Sequence, residues 1–271
     1  METATRPKTP FEIVGAIACV VFANLAAIGQ YPVLGTGAFL CLTIMSIFMK
    51  AWNILPVSLL FCLLNTYWIV APTILKNLPA LPFLIPFLIT IGLLFLFKYP
   101  ESSVVWLKKG NIDLPSIILV TLTGITSTAA LIIWGFWTNN LGVGLNMGKA
   151  FLAYPLWSVL ALAIPTFALV NAFAEEVVYR GILQEALGNT FSMPSVVFLL
   201  QGSAFAAVHF SSGFPNGVVG YAMVLIYGLM LGFLRWRTKG ILAPYVAHVI
   251  ADLCIGYFLI LYLVNSGQML H

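Results

Sequence analysis

Residues 151–187 read FLAYPLWSVLALAIPTFALVNAFAEEVVYRGILQEAL, a segment that joins a long apolar run to three charged residues. Its first part is an apolar run as long as a membrane-spanning helix, which needs about 20 apolar residues. Its second part keeps Glu175, Glu176 and Arg180 inside a pattern that is otherwise apolar. A charge in the bilayer costs several kcal/mol, and such charges are normally paired or functional. The stretch therefore predicts a membrane helix that carries an ion pair or a functional group.

The whole chain has the composition of a membrane protein. Hydrophobic residues make up 61% of its 271 residues and charged residues 7%, against about 25% charged residues in soluble domains. The mean hydropathy is +1.04. This composition excludes a soluble globular protein, and the absence of a basic stripe with interleaved aromatics argues against nucleic acid as a partner. We predict an all-α, polytopic transmembrane helical bundle whose surroundings are the lipid bilayer.

Long apolar runs mark the expected membrane helices, because irregular backbone is excluded from lipid. We predict eight or nine spans among the candidates 11–28, 35–49, 55–75, 81–97, 115–137, 151–173, 194–209, 217–234 and 241–264. The chain divides into a tail at 1–10, N-terminal transmembrane helices at 11–150 and a C-terminal transmembrane core at 151–265. If residues 151–173 formed one complete span, Glu175 would lie at its cytoplasmic end, whereas His209 lies deep in the next span. We therefore expect Pro165 to break the apolar run, so that both glutamates lie within a helix of about 167–187.

Basic residues concentrate in alternate loops and indicate the orientation. By the positive-inside rule, the N-terminus and the loops that carry most Lys and Arg face the cytoplasm. These residues are Arg6, Lys8, Lys50, Lys98, Lys108, Lys109, Arg235, Arg237 and Lys239. We therefore expect an integral membrane protein with a cytoplasmic N-terminus.

Helix geometry separates the two neighbouring glutamates. Residues four apart share a face of a helix, so Glu176 is placed to pair with Arg180. Adjacent residues point about 100° apart, so Glu175 and Glu176 are not expected to face one site. One carboxylate can then pair with the arginine while the other stays free. A structural ion pair that steadies the helix is the simpler interpretation of these three residues alone.

Two more apolar segments carry ionisable side chains at the same four-residue spacing. SAFAAVHFSSG places Phe205 and His209 on one helix face, and GILAPYVAHVIAD does the same for His248 and Asp252. Two histidines and three carboxylates in the membrane can activate water, either as general bases or as ligands of a divalent metal such as Zn²⁺. The carboxylates outnumber the single arginine available at depth, which favours a functional site over a set of structural ion pairs.

Taken in order, these segments resemble a known family. The patterns Glu175-Glu176-x-x-x-Arg180, Phe205-x-x-x-His209 and His248-x-x-x-Asp252 are similar to the three signature motifs of the CPBP family. This family, also called Abi, includes the type II CAAX prenyl endopeptidases and bacteriocin-processing proteins. The resemblance covers about residues 168–255 and leaves the N-terminal spans unassigned.

The resemblance implies an intramembrane endopeptidase. Glu175 would act as general base on the attacking water, with His209 assisting. His248 and Asp252 would stabilise the oxyanion, or would hold a metal together with His209. The supporting residues would be Glu176, Arg180 and Phe205, of which the first two orient the site.

One position departs from the family pattern. The last motif often ends in Asn, whose amide donates to an oxyanion, whereas an ionised Asp252 would repel one. Asp252 is therefore either protonated, or it orients His248, or it ligates a metal. The sequence leaves a metal-free glutamate mechanism and a metalloprotease site with two histidines and one carboxylate both open.

The resemblance also implies a partner and a location. The substrate would be a membrane-embedded or lipidated protein or peptide, and the protein would reside in a bacterial or archaeal plasma membrane. The alternatives are a non-catalytic membrane immunity or scaffold protein and a proton-coupled transporter, since carboxylates and histidines also form proton relays. A transporter is disfavoured because the polar residues are confined to one half of the chain and no internal repeat is evident.

Overall fold

A computed structural model describes residues 8–76, 80–97, 106–138, 154–212 and 214–265. Six helices in these ranges are long and apolar enough to cross a membrane, and three shorter helices are also apolar. This confirms the predicted all-α membrane bundle, with nine apolar helices in the described ranges against eight or nine predicted spans. The helices are α1 (Pro10–Gly29), α2 (Pro32–Phe48), α3 (Leu55–Val70), α4 (Leu81–Leu96), α5 (Leu114–Trp137), α6 (Leu156–Thr190), α7 (Pro194–Ser212), α8 (Gly217–Thr238) and α9 (Leu242–Asn265).

Several sequence predictions fall on residues outside these ranges. They include most of the tail at 1–10, the boundary at 150 and the first residues of the candidate span 151–173. Arg6 and Lys98 of the basic loops also lie outside the described residues.

Helix α5 begins at a side-chain cap on the polar side of the membrane boundary. Asp113 accepts hydrogen bonds from the backbone N–H of Ser116, at 2.9 Å, and from the Ser116 hydroxyl. These bonds stabilise the ionised carboxylate and lower the pKa of Asp113 to about 2, with a smaller contribution from Arg237. The charged cap also suits the positive end of the helix dipole.

Helix α6 continues through Pro165, so the expected break at that residue is wrong, whereas both glutamates do lie inside the helix. A proline lacks the N–H that bonds the preceding turn. Here that turn, Val159–Ala163, is a wider π-turn. In a π-turn each N–H bonds the carbonyl five residues earlier, so the N–H that Pro165 lacks would have bonded the Leu160 carbonyl. That carbonyl instead accepts a hydrogen bond from the Tyr257 hydroxyl at 2.9 Å. A hydrogen bond from α9 thus allows the proline to stay inside the helix.

A second π-turn, Val177–Leu183, carries the arginine of the first motif. All seven of its residues are buried, and the turn packs against α3, α4, α7 and α8. Gly181 lies directly against the Trp106 ring, where an added Cβ would be 2.8 Å from Cε3. This part of α6 is therefore the centre of the bundle, and the signature motif lies within it.

The loops that carry the basic residues meet at one end of the bundle, called the basic end below. The backbone N–H of Asn111 donates to the Thr238 carbonyl at 2.7 Å, which joins the loop before α5 to the loop after α8. Arg235 forms an ion pair with Glu185 near the C-terminal end of α6. These contacts place Lys108, Lys109, Arg235, Arg237 and Lys239 together.

The first turns of α1 lie at this same end. The Asn53 amide donates to the Thr190 hydroxyl at 2.9 Å, which brings the loop after Lys50 to the end of α6. A Cβ on Gly15 would lie 3.4 Å from Ile54, so the start of α1 is also here. The beginning of the described chain is therefore on the side of the basic loops, as the charge pattern predicts.

Candidate active site

Glu176 and Arg180 form the ion pair that the sequence spacing predicts. Nη1 of Arg180 lies 3.0 Å from Oε1 of Glu176, and both residues are fully buried. The guanidinium also stacks on the Phe205 ring, with Cζ 4.3 Å from the ring centroid. Among the described residues, Oε2 of Glu176 and two nitrogens of Arg180 have no hydrogen-bond partner. The ion pair is therefore buried, yet several of its polar atoms lack a hydrogen-bond partner in the described chain.

His248 of α9 lies against the carboxylates of α6. Its Nδ1 is 2.8 Å from Oε1 of Glu176, and because a carboxylate only accepts, we assign a proton to Nδ1. Its Nε2 lies 3.6 Å from Oε2 of Glu175 and 3.7 Å from Oδ1 of Asp252. Three carboxylates thus surround one imidazole.

This arrangement corrects the expectation that Glu175 and Glu176 do not face one site. Their side chains do leave α6 in different directions, but the imidazole of His248 has a nitrogen on each side. Glu176 reaches Nδ1 and Glu175 approaches Nε2. The angle of about 100° between Glu175 and Glu176 does not prevent them from sharing a site, because His248 comes from another helix and offers two nitrogens.

Phe205 contacts both histidines. Its ring centroid lies 5.2 Å from that of His209 and 6.0 Å from that of His248. Nδ1 of His209 is 3.3 Å from the backbone carbonyl of Phe205, so its Nε2 is free of that contact. The second motif therefore supplies an aromatic surface for Arg180 and a second imidazole beside the first.

A cavity of about 280 Å³ opens beside these residues, between α5, α7, α8 and α9. Its polar wall contains His209, His248 and Asp252, and most of the remaining lining is apolar. Ile226, which is 59% exposed, lies on the side toward the lipid. Glu175 does not line this cavity, but it approaches the cavity through Nε2 of His248. The site therefore joins an apolar space to a cluster of buried charges.

A family model matches the part of the chain that carries the three motifs. Residues 155–254 match the Rce1-like model, described as type II CAAX prenyl endopeptidase Rce1-like. Residues 155–254 form a CPBP-family domain of the CAAX protease type. The family resemblance is thereby confirmed, and the matched segment contains all three motifs, whereas the α5 wall of the cavity lies outside it. No curated protein and no solved structure matches the chain.

The three predicted metal ligands are not gathered into a metal-binding group among the described residues. In the described part of the chain, no group of three or more His, Cys, Asp or Glu residues is arranged to hold an ion. Each predicted ligand has one atom in a hydrogen bond: Nδ1 of His248 with Glu176, Oδ2 of Asp252 with Asn171, and Nδ1 of His209 with its own helix. Such contacts also support bound metals, so it is the missing grouping of donors that speaks against a metal site here. We therefore derive no step through a metal.

Two neighbours of the CPBP motifs were missed by the sequence analysis. The Asn171 amide donates to Oδ2 of Asp252 at 3.1 Å. Its position four residues before Glu175, as a polar residue in an apolar run, was an available signal. Tyr227 of α8 packs edge-on against His248, with ring centroids 5.5 Å apart, and a tyrosine in a membrane helix gives no such signal.

Proposed function

We propose that the chain is an intramembrane endopeptidase that hydrolyses a peptide bond of a membrane-embedded or lipidated protein or peptide. The observation that carries this proposal is the convergence of Glu175, Glu176 and Asp252 on His248, beside an apolar cavity. Hydrolysis inside a membrane needs polar groups that hold water next to an apolar substrate. Membership of a CAAX protease family supports the same reaction class.

Glu175 is the proposed general base. It is 7% exposed and has no hydrogen bond within the described chain, so its carboxylate is available to a water molecule. It removes one proton from that water as the oxygen attacks the substrate carbonyl carbon, and later delivers the proton to the leaving amine. His209 is proposed to assist, because it lines the same cavity as His248 and contacts the same Phe205 ring.

His248 is the proposed oxyanion donor. Glu176 holds its Nδ1–H, which leaves Nε2 directed toward Glu175 and Asp252. With Nε2 protonated, the imidazolium donates to the carbonyl oxygen as negative charge develops there. The 3.6 Å between Nε2 and Glu175 supports these roles, because attack on a carbonyl needs a base and a donor close together. Asp252, held by Asn171, stabilises the positive ring.

The test compares new protein termini in membranes of cells that express the wild type, Glu175→Gln or Glu185→Gln. Glu185 is the matched control, because it lies on the same helix but pairs with Arg235 at the basic end. Termini found with the wild type and Glu185→Gln, and lost with Glu175→Gln, would support the protease and name its substrates.

Identical terminus profiles in all three strains and in cells that lack the protein, with each variant inserted and folded, would contradict the proposal. That outcome would favour the immunity or scaffold protein. Termini that depend on the protein but are still produced with Glu175→Gln would support the protease and reject Glu175 as its base.

A further inference from the structure

The hydroxyl of Tyr227 is buried and has no hydrogen-bond partner in the described part of the chain. A buried, unpaired polar group of this kind costs about 1–3 kcal/mol. Other tyrosines of the bundle avoid this cost, since Tyr67, Tyr245 and Tyr257 each donate to a backbone carbonyl. Buried polar groups are normally hydrogen-bonded, so this hydroxyl calls for a partner, and a ligand in the adjacent cavity can supply one.

Tyr227 differs from the other unpaired tyrosine by its position. Tyr179 is also buried without a hydroxyl partner, but it packs in the core against Phe61 and Phe83. Tyr227 instead lines the cavity and packs edge-on against His248, at an interplanar angle of 87°. Its hydroxyl therefore belongs to a residue that borders both the apolar space and the proposed oxyanion donor.

The cavity offers few other groups that can donate. The hydroxyls of Thr126 and Ser127 are bonded to carbonyls of their own helix, at 2.6 Å and 3.0 Å. Asp252 accepts from Asn171 and, when ionised, has no proton to give. Apart from the histidines, Tyr227 is the donor in the described cavity lining that remains unengaged.

We propose that Tyr227 is a further catalytic residue, whose hydroxyl donates a hydrogen bond to the substrate carbonyl oxygen as it becomes the oxyanion. This inference rests on the proposed endopeptidase function. The bond from the water oxygen to the carbonyl carbon forms, and the π electrons of the carbonyl move to its oxygen. Tyr227 and His248 stabilise that charge without transferring a proton. The C–N bond then breaks, and the amine leaves with the proton carried by Glu175.

Tyr227→Phe tests the proposal because it removes the hydroxyl and keeps the ring against His248. We expect kcat on a cleaved peptide to fall by about 10²-fold, the effect of losing one oxyanion donor, with KM nearly unchanged. Loss of a buried unpaired hydroxyl should leave the melting temperature unchanged or raise it. The control is Tyr221→Phe on the same helix, whose hydroxyl lies 3.4 Å from Asn24 and outside the cavity lining.

A second measurement separates catalysis from structure. A phosphinic analogue of the cleaved peptide mimics the tetrahedral oxyanion, so Tyr227→Phe should weaken its binding by the same factor as kcat/KM. Binding of the uncleaved peptide to a Glu175→Gln background should not change. These results together would support Tyr227 as an oxyanion donor.

Three outcomes would overturn the inference. Unchanged kcat in Tyr227→Phe would show that the hydroxyl takes no part. A fall in kcat that comes with a lower melting temperature and equal weakening of both ligands would assign Tyr227 a structural role. Absence of cleavage by the wild type would reject the proposed function and this inference together, whereas the first two outcomes leave the proposed function intact.

Discussion

Nδ1 of His248 lies 2.8 Å from Oε1 of Glu176, the oxygen that also accepts from Arg180 at 3.0 Å. One carboxylate oxygen thus ties α9 to the centre of α6. Glu176 thereby determines the position of the imidazole and keeps a proton on its Nδ1. The ion pair and the proposed oxyanion donor form one unit, and removing any member should affect the others.

Arg180→Met should strongly destabilise the protein. It leaves Glu176 buried without its permanent cation, and breaking a buried pair in this way costs about 3–5 kcal/mol. Thermal unfolding in detergent should show a large fall in melting temperature, partly recovered by adding Glu176→Gln. Arg237→Ala, which removes a partly exposed partner of Asp113, is the control and should change little. Equal melting of Arg180→Met and the wild type would refute this account.

Asn171→Asp should reduce cleavage and make it pH-dependent. The substitution replaces a donor 3.1 Å from Oδ2 of Asp252 with a second carboxylate. Repulsion should displace Asp252 at neutral pH, and activity should partly return at lower pH, where one carboxyl is protonated and can donate. Asn65→Ala, in α3 and bonded to its own helix, serves as the control. A pH–rate profile like that of the wild type would argue against a role for Asn171.

Gly228→Ala should loosen the contact between α7 and α8. An added Cβ would lie 3.0 Å from Cα of Gly202 and 3.4 Å from the Phe205 ring, so the helices must separate. Overpacking of this kind costs about 1–3 kcal/mol, and displacement of Phe205 should also lower cleavage. In Gly188→Ala the new Cβ meets nothing within 4 Å, so this variant should melt at or above the wild-type temperature. Equal melting temperatures of the two variants would show that the close approach of α7 and α8 does not limit stability.

Part of this site follows from the sequence and part does not. Spacing within one helix was sufficient for the pair Glu176–Arg180 and for the shared face of Phe205 and His209. Contacts between helices were not accessible, because a single sequence does not state which helices are neighbours. For this reason the shared imidazole of His248 and the contact of Asn171 with α9 emerged only from the fold.

The same limit explains the error at Pro165. The rule that proline ends a helix was applied locally, and it holds when the freed carbonyl has no other donor. The Tyr257 hydroxyl supplies that donor from a position 97 residues away in sequence. The predicted span boundaries were otherwise close, because the length of an apolar run depends on composition alone.

Chelation should leave the activity intact. The proposed mechanism uses Glu175 and His248 without a metal, and the described donors do not form a metal-binding group. Purified enzyme treated with a strong chelator and then freed of it should cleave a peptide at the untreated rate. Loss of activity that Zn²⁺ restores would contradict this prediction, and it would return the ligand set His209, His248 and Asp252 to consideration.

The basic end should face the cytoplasm. Lys108, Lys109 and Lys239 lie there, together with the first turn of α1, and positive charge is retained on the cytoplasmic side. A fluorescent reporter at the N-terminus should therefore be active. A periplasmic phosphatase fused after Trp137, at the other end of α5, should also be active. The reversed pattern would place the basic end outside.

The π-turn at Val177–Leu183 affects how related chains align along α6. Such a turn contains one residue more than an α-turn, so the residues after it are displaced by one position relative to an uninterrupted helix. Gln184 follows directly, and its amide donates to the Gly232 carbonyl of α8 at 2.9 Å. A homologue with a regular helix here would keep that contact only if it had one residue fewer. A single-residue gap just after the glutamates would therefore mark the relatives in which this wide turn is missing.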